Sequence, residues 1–502
     1  MSPEIVIGPP GTGKTTTLLQ IVDDELTSGT PPDRIAYLSF TRRAADEAIG
    51  RACEKFKLVR KDFPLFRTLH SLCFRAMGLS SSDVLDGAKL EQFGEIVGHK
   101  ITGKFSLDDG TISGFEKGDR LLFMENLARV KEIPLRQLYD ADDDDLSWWD
   151  LERFSKALLA YKQETGVIDY TDMLVQFCHS GVEIPIDVLL VDEAQDLSRL
   201  QWDVVRKLAR SARRVIIAGD DDQAIYKWAG ADVETFVGME GQVRVLGQSW
   251  RVPRSVQDVA QQIVGGVNLR REKQWAPRDS DGLVRRHGSF DSMDLSGPDI
   301  LILGRNRYLL RRVESRIRSS GYLYEINGAR SIRPALLEAV VLWERLRQRK
   351  GEVTGADARK VYNFLSSGKG YTRGHKSLPG LTDEEIVTID ILRERGGLLL
   401  QDVLWFDALD KLSHGEVAYI RAALRRGEKV QDKPRIRIST IHGMKGAQAK
   451  QVVLLTDIAA RTQREATADP DSEARVWYVA VTRAMEELHI IAPFTDRHVT
   501  IF

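Results

Sequence analysis

Three cysteines in 502 residues, Cys53, Cys73 and Cys178, form no C-x-x-C pair and no disulfide-sized set. That excludes a multi-cysteine metal cluster and fits a reducing compartment. An excess of one charge is missing too: 72 Lys plus Arg stand against 73 Asp plus Glu, a formal net charge of −1. The chain is therefore not basic overall, and any nucleic-acid site must be a local groove. No apolar stretch approaches the roughly 18 residues that span a bilayer, and the first residues read as a core strand rather than a signal peptide. A cytoplasmic location with no membrane partner is expected. Tandem repeats are also absent. What remains is an ordinary folded composition, 42% hydrophobic and 29% charged, long enough for three or four domains of about 150 residues.

The most informative stretch lies at residues 8–15: Gly8, Pro9, Pro10, Gly11, Thr12, Gly13, Lys14, Thr15. It follows the apolar Ile5, Val6 and Ile7 and precedes a helix-like run starting at Thr16, the strand, glycine loop and helix that a P-loop requires. Glycines let successive N–H groups turn inward toward phosphate oxygens, and the helix start adds the positive end of its dipole. Lys14 is placed to reach the terminal phosphates, and the Thr15 hydroxyl to ligate Mg²⁺. The loop implies a nucleoside triphosphate ligand with Mg²⁺. Alone it suits an AAA+ type ATPase equally well.

Strands alternate with helices through residues 34–73, predicting a parallel, doubly wound sheet. Residues 77–165 turn helical and irregular, with an acidic run from Asp142 to Asp145 that reads as a solvated loop. The sheet resumes with an apolar run over 186–191 that ends in Asp192 and Glu193. Carboxylates at a strand's C-terminal end face the ligand crevice, and a strand buried on both faces does not end in two of them without a cationic partner. Asp192 suits the metal, Glu193 the base that orients water, and Gln223, at the tip of the strand over 215–218, the sensor of the terminal phosphate. A second alternating series, over 243–246, 299–303, 322–326, 435–439, 451–455 and 488–492, predicts a second α/β sheet. A polar stretch of helical character interrupts it over 349–434, and its basic turn at 367–376 reads as a soluble loop or a duplex contact. Arg251 follows a strand and Arg483 lies on a predicted helix start; either is a candidate arginine finger, or taken singly a surface ion pair.

Eight segments, 8–15, 39–45, 68–71, 191–196, 219–226, 249–251, 439–446 and 478–484, occur in the order of the helicase motifs of superfamily 1, and the chain resembles the UvrD/Rep/PcrA type. The resemblance spans residues 5–485. It implies two RecA-like P-loop domains, each a parallel sheet flanked by helices, with mostly helical insertions: 1A over 1–76 and 166–241, 1B over 77–165, 2A over 242–348 and 435–502, and a short 2B over 349–434. It further implies an ATP-dependent, DNA-stimulated motor moving 3′ to 5′ on single-stranded DNA and separating duplex at junctions, in replication, repair or recombination. A translocase that strips bound proteins with little unwinding is the alternative.

Residue by residue, the resemblance puts Lys14 and Thr15 on phosphate and Mg²⁺, Asp192 on Mg²⁺, and Glu193 on the attacking water. Gln223, Arg251 and Arg483 go to the γ-phosphate. Thr16 and Gln448 join the nucleotide set, and Trp250 stacks on the adenine. Phe40, Thr41, Arg42, Thr68, His70, Tyr226, Trp228, Thr440 and His442 would face DNA, aromatic faces and scattered donors being suited to unstacked bases. Tyr226 and Trp228 have a second reading, as core aromatics. The chain departs from the family pattern at Ala229, where arginine is usual, and at Gln448, where glutamate is usual. It has no glutamine among the seven residues before Gly8 to read the adenine edge, so weak discrimination between bases is expected. It ends about 20 residues past Arg483, without the family's usual C-terminal extension.

Overall fold

The computed structural model describes residues 2–39, 42–103, 116–141, 145–429 and 432–501. Two compact units divide it: Met1–Gly288 with Thr440–Phe502, and Ser289–Ser439. In the first unit β1 (Glu4–Ile7), β2 (Ile35–Ser39), β3 (Phe66–Thr68), β4 (Val188–Asp192), β5 (Arg214–Gly219) and β6 (Gln242–Val245) form a sheet in the order β3-β2-β4-β5-β1-β6. Neighbours run parallel. Every residue of β2 and β4 is buried, as expected for parallel strands covered on both faces. Because side chains alternate, one face sends Ile5, Leu38, Leu189, Val191 and Ile217 into one core. The other sends Val6, Tyr37, Leu190 and Ile216 into a second, against Leu18, Val22 and Ala48 of the helices Lys14–Thr27 and Arg42–Phe56.

Helices Gly87–Val97, Lys117–Val130, Leu135–Asp140 and Trp148–Thr165 bury a core of their own, built on Phe93, Leu121, Leu151, Phe154 and Leu158. Of the acidic run, Asp142, Asp143 and Asp144 lie outside the described residues, and Asp145 pairs with Arg120.

The remaining strands, in chain order, are β7 (Leu283–His287), β8 (Ile300–Gly304), β9 (Tyr324–Ile326), β10 (Ala329–Arg330), β11 (Val353–Thr354), β12 (Ile386–Val387), β13 (Ile436–Thr440), β14 (Ala449–Leu455) and β15 (Ala484–Ile491). In the first unit β15 has β14 on one side and β7 on the other, both parallel. In the second, β9 pairs in parallel with β13 and antiparallel with β10, and β11 with β12 forms a small antiparallel pair. Among the described residues no helix is long and apolar enough to cross a membrane.

Three expectations need correction. The strand predicted over 243–246 does not open a second sheet: it is β6, paired with β1 through Val243 and Ile5. Alternation reveals a strand but not its partner. β7 was missed, because Arg285, Arg286 and His287 give it no apolar run. Arg483 does not lie on a helix start. It sits in the turn between the end of helix Pro470–Val481 and β15, since apolar residues from Val476 onward serve first as helix and then as strand. The segment over 349–434 carries helices Gly355–Tyr362, Ile389–Glu394, Trp405–Ala408 and His414–Arg425, with a long irregular stretch between the first two.

Candidate active site

The loop after β1 turns at the sheet's C-terminal edge, where the Gly8 N–H donates to Gly219 O at 2.9 Å. Gly11 and Gly13 take positive φ, 73° and 80°, a region that favours glycine. At Gly11 a side chain would also run into the Cβ of Arg251. The loop is braced from outside itself: the Trp250 N–H donates to Gly11 O at 2.8 Å, and the Ser249 hydroxyl to Pro10 O at 2.7 Å. The helix Lys14–Thr27 then starts without a side-chain cap, leaving its first N–H groups for an anion.

Two strands away β4 ends in Asp192, and Glu193 follows in the left-handed region, φ 56°. That conformation is costly for a non-glycine residue. It is held by the Glu193 N–H donating to Asp192 Oδ1 at 2.9 Å and by the Gln195 amide donating to Glu193 Oε2 at 2.6 Å. Lys14 Nζ lies 2.9 Å from Glu193 Oε1 and 3.8 Å from Asp192 Oδ1, so the cation expected for the two strand-end carboxylates is the P-loop lysine. Burial alone would pull the Lys14 ammonium down, but Glu193 and Asp192 more than offset it and hold it above its usual range. Burial pushes Glu193 up, yet Lys14 and then Lys445 outweigh it and bring the carboxyl to about 2. For Asp192 burial wins, and its carboxyl is raised.

Gln223 is fixed at both ends. Its amide nitrogen donates to Asp220 Oδ2 at 2.7 Å, and its carbonyl oxygen accepts from Arg483 Nη2 at 3.0 Å. Both candidate arginines are lowered, Arg251 by burial and Arg483 by burial and then by the like charge of Arg251. Two guanidiniums brought together out of water make a site for concentrated negative charge. Gly11, Gly13, Lys14, Asp192, Glu193, Gln223, Arg251 and Arg483 line one cavity of about 470 Å³, within the usual range for a small-molecule site. Gly8, Pro9, Pro10, Thr12, Thr15, Thr16, Trp250 and Gln448 line it as well, so every residue assigned from sequence to nucleotide or catalysis falls in the same pocket. Trp250 is 71% exposed at its rim.

Matches to known families decide the lineage. The UvrD/REP helicase N-terminal domain matches residues 1–244, and the UvrD-like helicase C-terminal domain matches residues 416–493. The chain belongs to the UvrD/REP helicase family. It is 24% identical, over 57% of its length and 56% of the relative's, to a probable DNA helicase of Mycoplasma pneumoniae. It is 23% identical to the RecBCD enzyme subunit RecB of Mycolicibacterium smegmatis, over 52% of this chain and 29% of that one. To the ATP-dependent DNA helicase PcrA of Staphylococcus aureus it is 22% identical, over 54% of this chain and 39% of that one. The chain thus spans little more than half the length of these relatives, or less.

The residues assigned to DNA fall into two groups. Thr68 caps helix Leu69–Ala76, its hydroxyl accepting from the Ser71 N–H, and His70 meets Tyr170 edge-on at 6.1 Å. Burial pushes His70 down to about 4, so its ring is neutral at pH 7. In the second group Tyr226 and Trp228 each lie 6.3 Å from the ring of His442, and Trp228 stacks on Phe123 at 6.1 Å. Trp228 is half-buried, while Thr440 and His442 are buried. Phe40 and Thr41, with the side chain of Arg42, lie outside the described residues. Tyr226, assigned to DNA, also lines the cavity that holds the residues assigned to the nucleotide.

Sequence reasoning missed several groups here. Lys445 donates to Asp196 Oδ1 at 2.7 Å and to Gln223 O at 2.8 Å, and lies 4.9 Å from the centre of the Tyr226 ring. Burial pushes Asp196 up to about 6 despite that lysine. Lys445 belongs to the quoted 439–446 segment, so its motif was visible though its partner was not. Lys273 was not marked at all: its ammonium sits 3.1, 2.6 and 3.0 Å from Asp220, Asp221 and Asp222, all fully buried.

Proposed function

We propose that this chain is an ATP-driven DNA motor that moves 3′ to 5′ along single-stranded DNA and separates duplex at junctions during replication, repair or recombination. The observation that carries this reading is the single pocket joining Lys14, Asp192, Glu193, Gln223, Arg251 and Arg483. Family membership and relatives described as DNA helicases support the DNA substrate. The four-part division into 1A, 1B, 2A and 2B is proposed with it, supported for 1B by the separate helical core. Three unpaired cysteines fit a reducing compartment such as the cytoplasm.

Thr15 and Asp192 are the residues that would hold Mg²⁺, and a buried carboxyl raised by desolvation fits a cation partner. Once bound, Mg²⁺ supplies charge neutralisation at the phosphate oxygens. The chain's own groups do the rest. Lys14 takes up the terminal phosphates and in doing so leaves Glu193. Without that cation the Glu193 carboxylate, now held at about 2, becomes a stronger base, able to accept the proton of the attacking water. Arg251 and Arg483 stabilise charge that builds up on the transferring phosphoryl group, and Gln223, fastened to Arg483, reports whether that group is present. Proton affinity at Glu193 is thus coupled to occupancy of the loop.

The test is ATP hydrolysis with and without single-stranded DNA, beside strand displacement on 3′-tailed and 5′-tailed duplexes. DNA-stimulated hydrolysis with displacement of the 3′-tailed duplex only is expected. Stimulation without displacement would favour the protein-stripping translocase, and hydrolysis indifferent to DNA would sink the motor reading.

A further inference from the structure

Tyr37 lies in the middle of β2, a position that the run of buried residues around it assigns to core packing. Its ring meets that expectation: it is 1% exposed and lies 5.3 Å from the ring of Phe66. The hydroxyl does not. A phenol buried in an apolar core costs free energy unless its O–H finds a partner, and phenylalanine would fill the same space without that cost. Here the O–H reaches along the sheet and donates to Asp192 Oδ2 at 2.7 Å. Tyr37 registers with Leu190, two residues before Asp192 on the adjacent strand. With period-two alternation both side chains stand on the face covered by the helix Lys14–Thr27.

The carboxylate is thereby held at both oxygens, Oδ2 by Tyr37 and Oδ1 by the Glu193 N–H. Lys14 stands nearer to Glu193 than to Asp192, so the close hydrogen-bonded contacts of Asp192 are those from Tyr37 and the Glu193 N–H. Carboxylates that bind metal ions are normally aligned by hydrogen bonds from residues that do not touch the metal. We infer that Tyr37 is a positioning residue for divalent-cation binding, its hydroxyl fixing the Asp192 carboxylate at Oδ2 while the Glu193 N–H fixes Oδ1, so that this candidate ligand is held ready for the cation. This inference rests on the nucleotide-site reading and goes beyond it. It assigns a role to a strand residue outside every helicase-like segment in the sequence.

The experiment follows binding of a fluorescent ADP analogue to the full chain while Mg²⁺ is titrated, with parallel runs in EDTA, for the parental protein, Tyr37→Phe, Asp192→Asn and Tyr362→Phe. Tyr362 is a buried tyrosine of the second unit whose hydroxyl donates to Gly396 O, and it controls for the loss of a buried hydroxyl as such. For Tyr37→Phe the Mg²⁺ concentration at half-effect should rise about 10- to 100-fold, with binding in EDTA and the thermal midpoint unchanged. Tyr362→Phe should keep the parental Mg²⁺ dependence. A parental half-effect in Tyr37→Phe, where Asp192→Asn has lost its Mg²⁺ response, overturns the inference. Equal weakening with and without Mg²⁺ would make Tyr37 a packing residue only and overturn it too. If the parental protein binds no nucleotide, or binds it without regard to Mg²⁺, the nucleotide-site reading itself fails.

Discussion

Lys273 offers the sharpest check on how the loop carrying Gln223 is held. Its ammonium is fully buried among Asp220, Asp221 and Asp222, none of which reaches solvent. Burial alone would pull the lysine down, and the three carboxylates more than offset it. Arg270 also binds Asp222, at 3.0 and 2.6 Å, so replacing Lys273 by methionine leaves Asp222 paired. Among the described residues Asp220 and Asp221 keep neutral hydrogen-bond donors: Gln223 and the Asp222 N–H on the first, the Arg271 N–H on the second. Removing one partner of a buried ion pair costs about 3–5 kcal/mol, because the charge left behind is uncompensated. Against a typical total of about 5–15 kcal/mol that is a large share.

The loss depends on pH. Asp220 is already raised by burial, with Lys273 the main force opposing this, so without the lysine it rises further. A carboxyl whose folded pKa exceeds its unfolded value binds more protons when folded, and its effect on stability is favourable at low pH and is lost as pH rises through the folded value. Urea unfolding of Lys273→Met should therefore show most of the 3–5 kcal/mol deficit at about pH 8 and a smaller deficit at about pH 5.5. A deficit below about 1 kcal/mol at the higher pH, or one that grows on acidification, refutes the reasoning.

Glu193→Gln should keep nucleotide binding and remove turnover, since an amide cannot accept the proton of water; near-parental hydrolysis with DNA present would show that Glu193 is not the base. Gly11→Ala places a side chain at φ 73° against Arg251, so nucleotide affinity should fall at least about tenfold, roughly 1.4 kcal/mol, in a direct binding titration. Trp228→Ala should weaken single-strand binding by about 1–3 kcal/mol with basal hydrolysis unchanged. Because Trp228 stacks on Phe123, unchanged DNA affinity with a lower melting temperature would instead make it a core residue.

How much of this site the sequence could disclose depended on how far apart the cooperating residues lie. The P-loop was legible because its function is local: glycines, lysine and threonine act within eight consecutive residues, and their spacing carries the geometry. Asp192 and Glu193 were legible from a contrast, two carboxylates ending a run that has no place for charge. Their cation was foreseen as a need, and Lys14 meets it. The supporting residues were hidden because each looks ordinary where it stands. Tyr37 reads as a strand aromatic until Asp192, 155 positions away, takes its hydroxyl. Lys273 reads as a surface lysine until Asp221, 52 positions away, encloses it, and Lys445 meets Asp196 across 249.

The fold divides the same way. Alternation marks most strands but cannot choose neighbours, so the strand over 243–246 is expected in the second sheet, whereas β6 pairs with β1. That placement has a functional consequence. With β6 beside β1, the chain leaves the sheet next to the P-loop, and Ser249 and Trp250 come to brace Pro10 and Gly11 through their hydroxyl and N–H. Arg251 then follows directly against Gly11, so the candidate finger and the loop it serves are set by one strand register. A slip of one residue in β6 would turn its side chains to the opposite face and misplace the finger.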